Sequence, residues 1–277
     1  MPSRFDQLDR PPLDERALTR ALVRPDGLYR EVRVVAATGS TNADLVGLGR
    51  KGAEPGLLLA AEHQRQGRGR LDRTWQAPKR AGLTFSVLVQ PDRVPSTRWP
   101  WLPLLTGVAV VEALARATDL DARLKWPNDV LIDDYKVAGV LVERIESAGG
   151  RPMAVIGVGI NVSNTSAELP TPDSTSLALQ GAARLDRSVI LRAVCRTLES
   201  LYVAWCAESG DSGAGLADSY RRRCSTLGRA VRVELPGQGM VTGQAVDVDA
   251  SGRLVVVGSA GRVALGAGDV VHLRERT

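Results

Sequence analysis

The stretch that decides the fold runs from residue 57 to residue 89 and reads LLLAAEHQRQGRGRLDRTWQAPKRAGLTFSVLV. Its two ends, Leu57–Ala61 and Leu83–Val89, are short apolar runs of the kind that forms buried β-strands. Between them lies a long polar connection that contains two glycines and four arginines before Trp75. The first prediction is therefore a β-sheet with a basic loop between two of its strands.

This basic loop, Gly67–Trp75, has the composition of an anion-binding segment. Gly67 and Gly69 let the backbone approach a ligand closely, and the arginines offer fork-shaped donors for carboxylate or phosphate. The loop lacks the Gly-Lys-Ser/Thr ending of a Walker loop. Taken alone, it also fits a flexible arginine- and glycine-rich segment that binds RNA, so that alternative stays open at this point.

Further apolar and periodic segments surround this unit. More strand-like runs, separated by turns that contain Gly or Pro, are Val32–Ala36, Val130–Ile132, Val137–Val142 and Ala154–Val158. Apolar residues at helical spacing predict helices over residues 13–22, 106–118 and 188–207. Helices interspersed with strands predict a main domain of the α/β (α+β) class.

After Cys224 the pattern becomes all-β. Apolar residues alternate over Val231–Leu235, two strand-like runs flank the turn Asp249–Gly252, and Val270–Leu273 forms a last run. Short alternating strands over about fifty residues predict a small β-barrel. The predicted organisation is an N-terminal extension with a short helix (residues 1–30), a main domain (31–225) and a C-terminal small β-barrel (226–277).

Composition bounds the class of protein. The 277 residues carry a formal net charge of +5, which fits phosphate or acidic ligands without requiring nucleic acid. The three cysteines have no metal-type spacing and predict reduced, packed thiols. The longest uncharged run, Trp99–Val111, is interrupted by Pro100 and Pro103, whereas a membrane span needs about 18 apolar residues. These features predict a soluble cytoplasmic protein.

A second group of candidate site residues follows the basic loop. The segment Lys125-Trp126-Pro127-Asn128-Asp129 has residues of an ordinary hairpin turn, and that interpretation is open. Lys136 begins the strand-like segment Lys136–Glu143, where a lysine usually directs its ammonium outward to solvent. The functional interpretation is a fixed cation at the mouth of a pocket, with Gly139 leaving room beside it.

Two smaller motifs complete the set. Gly39-Ser40-Thr41-Asn42 has the residues of a helix N-cap, for a helix that begins near Ala43. Gly157-Val158-Gly159-Ile160-Asn161 is predicted as a strand ending in glycines and an asparagine. A dinucleotide-binding loop is excluded there, because neither the third glycine nor an opening helix follows.

The ordered set of these motifs resembles the biotin–protein ligase family. The motifs that carry the resemblance, in chain order, are Gly39–Asn42, Gly67–Arg70 with Arg73 and Trp75, Lys125–Asp129, Lys136–Gly139 and Gly157–Asn161. Each is weak alone, but five in order are specific. The resemblance implies a catalytic domain over residues 31–225 with a mixed sheet, like that of class II aminoacyl-tRNA synthetases. It also implies an SH3-like barrel at the C-terminus.

The resemblance also implies a role for each candidate residue. Biotin-binding positions are Ser40, Thr41, Asn42, Gln64, Gly67, Arg68, Arg70, Lys136 and Gly139. Positions that bind ATP or the adenylate are Arg68, Arg70, Arg73, Trp75, Lys125, Asn128, Asp129, Lys136 and Asn161. The catalytic set is Lys136, Arg68, Arg70 and Asp129, in which Asp129 is the candidate base for the transfer step. Metal ligands are not specified beyond the neighbourhood of Asn128, Asp129 and Asn161.

The implied reaction takes ATP and biotin as substrates with Mg²⁺, forms biotinyl-5′-AMP and passes biotin to a lysine of a biotin carboxyl carrier domain. No specific nucleic acid and no membrane is expected as a partner, and the oligomeric state is left open. Lipoate or octanoate ligases share the implied fold but lack the arginine–glycine loop. An RNA-binding module is the remaining alternative, and it predicts salt-dependent RNA affinity without ATP turnover.

Asp72 departs from the family pattern, which has glycine at this place in the loop. Aspartate tolerates a positive φ better than most residues, but it adds a negative charge beside an anionic intermediate. We hypothesise that Asp72 weakens retention of the adenylate. An Asp72→Gly variant with the same adenylate off-rate as the parent would contradict this hypothesis.

Some family members carry an N-terminal helix-turn-helix domain and act as repressors. The residues before Val32 are too few for such a domain. We therefore expect a ligase without operator-binding activity, and sequence-specific DNA binding by the purified protein would contradict this expectation.

Overall fold

The computed structural model describes residues 10–71, 73–236, 239–259 and 261–273. Its helices are α1 (Glu15–Leu22), α2 (Thr41–Arg50), α3 (Trp101–Thr118), α4 (Arg187–Ala207) and α5 (Gly213–Arg223). The strands of the main domain are β1 (Glu31–Val35), β2 (Leu57–Ala61), β3 (Gly67–Arg68), β4 (Thr74–Trp75), β5 (Gly82–Val89), β6 (Arg123–Lys125), β7 (Asp129–Ile132), β8 (Tyr135–Glu146) and β9 (Pro152–Asn161). The C-terminal strands are β10 (Ala230–Glu234), β11 (Met240–Val248), β12 (Leu254–Gly258), β13 (Gly261–Leu265) and β14 (Asp269–His272).

Seven strands form one sheet in the order β1-β2-β5-β9-β8-β7-β6. β1 and β2 are parallel, and all the other neighbours are antiparallel. This confirms the predicted mixed sheet and the α/β class. The two glycines of the 157–159 motif lie inside β9 and do not end it, because the strand continues through both of them to Asn161.

The two faces of this sheet are covered differently. On one face the apolar side chains of β5, β8 and β9 form the main core with α3, and α4 packs behind α3. On the other face α2 covers only one end, where Leu45 packs against Leu88, Ile145 and Val155. The rest of that second face, beyond the end of α2, is the floor of a large cleft.

Helix α3 begins at Trp101, five residues before the predicted start at Thr106. Pro103, which interrupts the uncharged run Trp99–Val111 in the sequence, lies in the first turn of this helix, where proline is tolerated because its missing N–H has no partner to lose. In the described part of the chain, α3 is the one helix long and apolar enough to cross a membrane. Its 18-residue window is 78% buried inside the protein, as in a core helix.

The N-terminal extension belongs to the main core. Leu18 and Leu22 of α1 are buried in the same cluster as α3 and α4, and α1 packs on β1 and α4. The predicted helix over residues 13–22 is confirmed. The boundary at residue 30 stays a prediction, and in packing terms α1 is continuous with the main domain.

The C-terminal strands form a five-stranded antiparallel sheet in the order β13-β12-β11-β10-β14, which confirms the predicted small β domain of SH3-like type. It docks on the main domain through two indoles: Trp101 Nε1 donates to the carbonyl of Ala250 at 2.8 Å, and Trp126 Nε1 to that of Gly252 at 3.0 Å. Helix α5 and strand β13 were not predicted, because their polar and glycine-bearing sequences lack a clear apolar period.

The three cysteines are free, as predicted. Cys195 and Cys224 are buried, and Cys206 is partly buried. Burial raises the pKa of the Cys195 thiol to about 12, so this group is packed as a neutral thiol.

Candidate active site

A single row of paired residues crosses the whole sheet, and the larger part of it lies at the floor of the cleft. One residue from each strand lies in this row, in the order Val35, Ala61, Thr84, Gly159, Gly139, Asp129 and Lys125. Directly paired residues on neighbouring strands share a face, so the whole row points to the same side of the sheet. The part of the row from Thr84 to Lys125 lines a cleft of about 1200 Å³.

The two central glycines of this row lie under an aromatic side chain. The indole of Trp75 lies against Gly139 and Gly159, so that a Cβ on Gly159 would be 2.8 Å from Trp75 Cζ2 and one on Gly139 3.5 Å from Cζ3. Any side chain at Gly159 would therefore displace the indole. Trp75 Nε1 is buried and has no hydrogen-bond partner among the described residues, which leaves a donor inside the cleft.

A polar pocket closes the end of the cleft at the start of α2. Ser40 is the N-cap of this helix and accepts from Ala43 N, which confirms the predicted cap, with the helix starting at Thr41. Thr41 donates its backbone N–H to Gln64 Oε1 at 2.8 Å, and its hydroxyl lies 2.7 Å from that of Ser86. Ser40, Thr41 and Ser86 are buried and Gln64 is partly buried, so this end of the cleft groups several polar donors and acceptors.

Asn42 is the central residue of this pocket. Its Oδ1 accepts from Ser86 Oγ at 2.6 Å, and its Nδ2 donates to Glu143 Oε2 at 2.9 Å. Gly157 lies directly below, where a Cβ would be 2.8 Å from Asn42 Cγ. The glycine at 157 is therefore required by the close approach of Asn42 to the sheet.

The basic loop, predicted as an irregular connection, contains a short hairpin. β3 and β4 pair Gly67 with Trp75 and Arg68 with Thr74. A Cβ on Gly67 would be 2.8 Å from Gln64 Nε2 and would overlap the Trp75 carbonyl. Gly67 does not line the cleft, and its glycine is explained by this close backbone approach. Asp72, on which the retention hypothesis rests, lies outside the described residues.

Two cations of the cleft, Lys136 and Arg70, are held by specific partners. Lys136 Nζ lies 2.6 Å from Asp129 Oδ1, and Arg70 Nη1 donates to Asn128 Oδ1 at 3.0 Å. Burial lowers the pKa of the Arg70 guanidinium from its ordinary value, although this group remains a cation at neutral pH. A partly desolvated cation attracts an anionic ligand more strongly than one in bulk water does.

The C-terminal domain forms one wall of the same cleft. Asp269 of β14 pairs with Arg73 of the loop and, through this hydrogen bond, raises the pKa of Arg73. His272 lies 3.1 Å from Thr226 Oγ1 and 3.3 Å from Arg229 Nη1. Burial, followed by the charges of Lys125 and Arg229, lowers the pKa of His272 to about 4.

Nearly all of the candidate residues meet in this one cleft. Those that line it are Ser40, Thr41, Asn42, Gln64, Arg68, Arg70, Arg73, Trp75, Lys125, Asn128, Asp129, Lys136, Gly139 and Asn161. Asn161 is buried, and its Nδ2 donates to the Thr175 carbonyl at 2.9 Å, so its side chain also fixes a neighbouring loop.

Several residues around the cleft were not predicted from the sequence. They are Ser86, Glu143, Arg229, Asp269 and His272. The alternating serine and threonine of β5 were a signal for a polar sheet face, since Thr84 and Ser86 interrupt an apolar strand. No comparable signal marked the C-terminal residues, because their place depends on how the small domain docks.

Two protein-family models match this chain and define the class of protein to which it belongs. Residues 34–161 match the model of the biotin/lipoate A/B protein ligase family, and residues 226–273 match that of the biotin protein ligase C terminal domain. The fold and the cleft are therefore those of a biotin or lipoate ligase.

The similarity to individual proteins narrows this class. The biotin–[acetyl-CoA-carboxylase] ligase of Mycobacterium tuberculosis is 44% identical over 269 residues, which cover 96% of this chain and 97% of that protein. The corresponding ligase of Paracoccus denitrificans is 30% identical, over 86% of this chain and 98% of that protein. The chain belongs to the biotin–protein ligase family, and it is a ligase.

A solved structure has the same fold. The biotin protein ligase from Aquifex aeolicus, in complex with biotin and ATP, superposes with a TM-score of 0.73 at 27% identity. The match covers 89% of this chain and 100% of that structure.

Proposed function

We propose that this protein activates biotin with ATP and transfers it to a lysine of a biotin carboxyl carrier domain. In the first step a carboxylate oxygen of biotin attacks the α-phosphorus of ATP, the bond to the β-phosphate breaks, and pyrophosphate leaves. In the second step the lysine amine attacks the carbonyl carbon of biotinyl-5′-AMP, AMP leaves, and the amine gives up a proton. The ligases of similar sequence and the Aquifex structure with biotin and ATP support this reaction.

One observation carries the proposal: a polar pocket, a glycine floor and a group of cations line one continuous cleft. The polar pocket offers donors and acceptors for the uncharged head of biotin. The glycines let the Trp75 indole lie directly on the sheet, which gives the cleft a flat aromatic surface. The first step brings two anions together, so that the cations Arg68, Arg70 and Lys136 stabilise charge where it accumulates.

Asp129 has a more specific part in this scheme than the sequence indicated. Its carboxylate forms an ion pair with Lys136. We therefore propose that the first role of Asp129 is to hold the ammonium group of Lys136 at the floor of the cleft. That Asp129 also acts as the general base for the incoming lysine remains a prediction. A free lysine amine has a pKa of about 10.4, so some acceptor for its proton is required.

We propose that Mg²⁺ binds together with ATP. Among the described residues no group of three or more His, Cys, Asp or Glu side chains could hold a metal ion. Mg²⁺ in nucleotide sites commonly keeps several waters and takes only one or two protein carboxylates besides the phosphates. Asn128 Oδ1 accepts from Arg70 and Asp129 Oδ1 pairs with Lys136, so the second carboxylate oxygen of Asp129 is the atom of these two side chains that would hold the ion. Bound there, the ion would neutralise phosphate charge.

Biotin is favoured over a longer acyl substrate. Lipoate or octanoate needs an extended apolar tunnel, whereas the α2 end of this cleft is lined by the polar side chains of Thr41, Asn42 and Gln64. The free cysteines and the use of ATP support a cytoplasmic location for the protein.

The experiment that tests the proposal is incubation with ATP, Mg²⁺, biotin and a biotin carboxyl carrier domain, followed by mass spectrometry of the carrier. We expect one biotinyl group on the carrier with the parent enzyme. Arg68→Ala and Lys136→Ala should lower the rate by at least about 10²-fold, because each removes charge stabilisation at the reacting phosphate. Absence of transfer by the folded parent, or variants as active as the parent, would contradict the proposal.

A further inference from the structure

Glu143 connects two parts of the cleft that the proposed reaction uses. It lies on β8, on the same face as Gly139 and Leu141, but it does not line the cleft itself. One carboxylate oxygen, Oε2, accepts from Asn42 Nδ2 at 2.9 Å, and the other, Oε1, accepts from Arg68 Nη1 at 3.1 Å. A single carboxylate therefore joins the start of α2 to the basic loop.

The amide of Asn42 is oriented by this arrangement. Ser86 Oγ donates to Asn42 Oδ1, so the Nδ2 end is turned away from Ser86 and toward Glu143. The same Nδ2 group lies 3.3 Å from the Leu141 carbonyl. Asn42 can present a fixed side to a ligand only while acceptors hold both of its N–H groups.

Arg68 depends on the same carboxylate in a different way. About half of its side chain is exposed, whereas the Glu143 side chain is 22% exposed. A long exposed arginine has many rotamers, and pairing it with a fixed acceptor restricts them. Arg68 has several N–H donors, so the pair with Glu143 leaves others free for an anionic ligand.

We infer that Glu143 is a positioning residue, which couples the biotin-head pocket to the loop by holding Asn42 with one oxygen and Arg68 with the other. Because it acts through these two residues, its removal should weaken ligand binding more than it weakens the fold. The inference rests on the proposed function, since it assumes that biotin occupies this cleft.

The substitution Glu143→Gln separates the two contacts. A glutamine oxygen can still accept from Asn42 Nδ2, but its NH₂ group then faces Arg68, and two donors cannot bond. The variant therefore releases Arg68 while it preserves the Asn42 contact. Glu146→Gln is the matched control. Glu146 lies on the same strand as Glu143, is exposed and points to the opposite face of the sheet.

The test is equilibrium binding of biotin by calorimetry to the parent, Glu143→Gln, Arg68→Ala, the double variant and Glu146→Gln, with thermal unfolding of each. We expect about tenfold weaker binding for Glu143→Gln, little further loss when it is added to Arg68→Ala, and parent-like binding for Glu146→Gln. Should Glu143→Gln not fold, Glu143→Asp replaces it; because this side chain is too short to reach both partners and loses one or both contacts, only its weaker binding of biotin, and not its additivity with Arg68→Ala, is then compared with the parent.

The outcomes are distinguishable. A parent protein that binds no biotin would overturn the proposed function. A parent that binds biotin, with Glu143→Gln binding as tightly or more tightly, would overturn only the role of Glu143. Losses that simply add in the double variant would also overturn it, because they would show that Glu143 does not act through Arg68.

Discussion

The contact between Trp75 and the glycine floor makes the size of two side chains critical. Gly139 and Gly159 have no Cβ, and the indole occupies the space that a Cβ would take. Glycine inside a strand weakens it, since it packs no side chain and loses more conformational entropy on folding. Two glycines paired across neighbouring strands therefore destabilise the sheet. The close approach of the Trp75 indole explains why they are present.

We predict that Gly159→Ala weakens biotin binding by at least about tenfold, because the added methyl displaces Trp75 from the floor. Calorimetric titration with biotin measures this. Gly47→Ala is the control: no atom lies within 4 Å of its Cβ, and it should raise the free energy of unfolding by about 0.5–1 kcal/mol without changing affinity. Equal affinity for Gly159→Ala and the parent would contradict the prediction.

His272 makes stability depend on pH. Arg229 can only donate, so His272 Nδ1 accepts from it, and the ring proton on Nε2 is donated to Thr226 Oγ1. The ring is thus bound in its neutral form. Its pKa is about 4 in the folded protein, against about 6.5 in the unfolded chain.

Below pH of about 6.5 the unfolded chain therefore takes up a proton that the folded protein resists, and stability falls as pH falls toward about 4. Above this window His272 contributes no pH dependence. We expect a His272→Gln variant to lose less stability than the parent between pH 7 and pH 5 in urea unfolding. Parallel losses in the two proteins would contradict this assignment.

Individual residues differed in how far the sequence predicted them. Lys136 and Ser40 were predicted because each stands out from its neighbours in the sequence. A lysine in an apolar strand is unusual, and a serine just before a helix is typical of an N-cap. Glu143 and His272 were not, since a glutamate at a strand end and a histidine in a short terminal run are unremarkable there. Their surroundings exist only after distant segments come together.

Among the structural elements, the stem of the basic loop is fixed by a buried ion pair. Glu62 Oε2 lies 2.7 Å from Arg187 Nη2, and the two side chains are only 5% and 4% exposed. Glu62 Oε1 also accepts from Leu13 N, and Arg187 donates to the Pro11 carbonyl. The N-terminal segment, the start of the loop and α4 are joined at this point.

We predict that Arg187→Met destabilises the protein by about 3 kcal/mol, at the lower end of the cost of breaking a buried ion pair, because the buried Glu62 carboxylate loses its close cation and is left with Arg80, whose Nε lies 3.8 Å from Oε2. Urea unfolding measures the change. Arg192→Met, an exposed position on the same helix, should change stability by no more than about 0.5 kcal/mol. A loss of stability no larger for Arg187→Met than for Arg192→Met would contradict the role of the pair.

Strands and long helices were predicted better than their ends and the polar elements. Leu57–Ala61 was predicted with its bounds, because both of its faces are buried and its sequence is uniformly apolar. The start of α3 was predicted five residues too late, because the apolar spacing used for the prediction began only after Pro103. The hairpin inside the basic loop has only two residues in each strand, too few to leave a pattern.

In the molecule as a whole, the small C-terminal domain completes the cleft and is not a separate appendage. Its buried residues, such as Val231 and Leu254, belong to the same apolar cluster as α3. Two tryptophans of the main domain donate to carbonyls of its β11–β12 turn. The sequence predicted that this domain exists, but its docking surface could not be predicted, because the contacts join residues more than a hundred positions apart.

We predict that both domains unfold in one cooperative transition, because they share a core. Differential scanning calorimetry of the intact chain measures this. Two well-separated transitions would contradict the shared core and would make the C-terminal wall of the cleft an independent unit.

The central claim is that this cleft joins biotin to the α-phosphate of ATP, and biotin-dependent exchange of labelled pyrophosphate into ATP tests it most directly. The assay reports the first step alone and needs no carrier domain. We predict exchange that requires biotin and Mg²⁺ and that falls by at least about 10²-fold in Lys136→Ala. Exchange that does not depend on biotin, or that persists undiminished in a folded Lys136→Ala variant, would contradict the account.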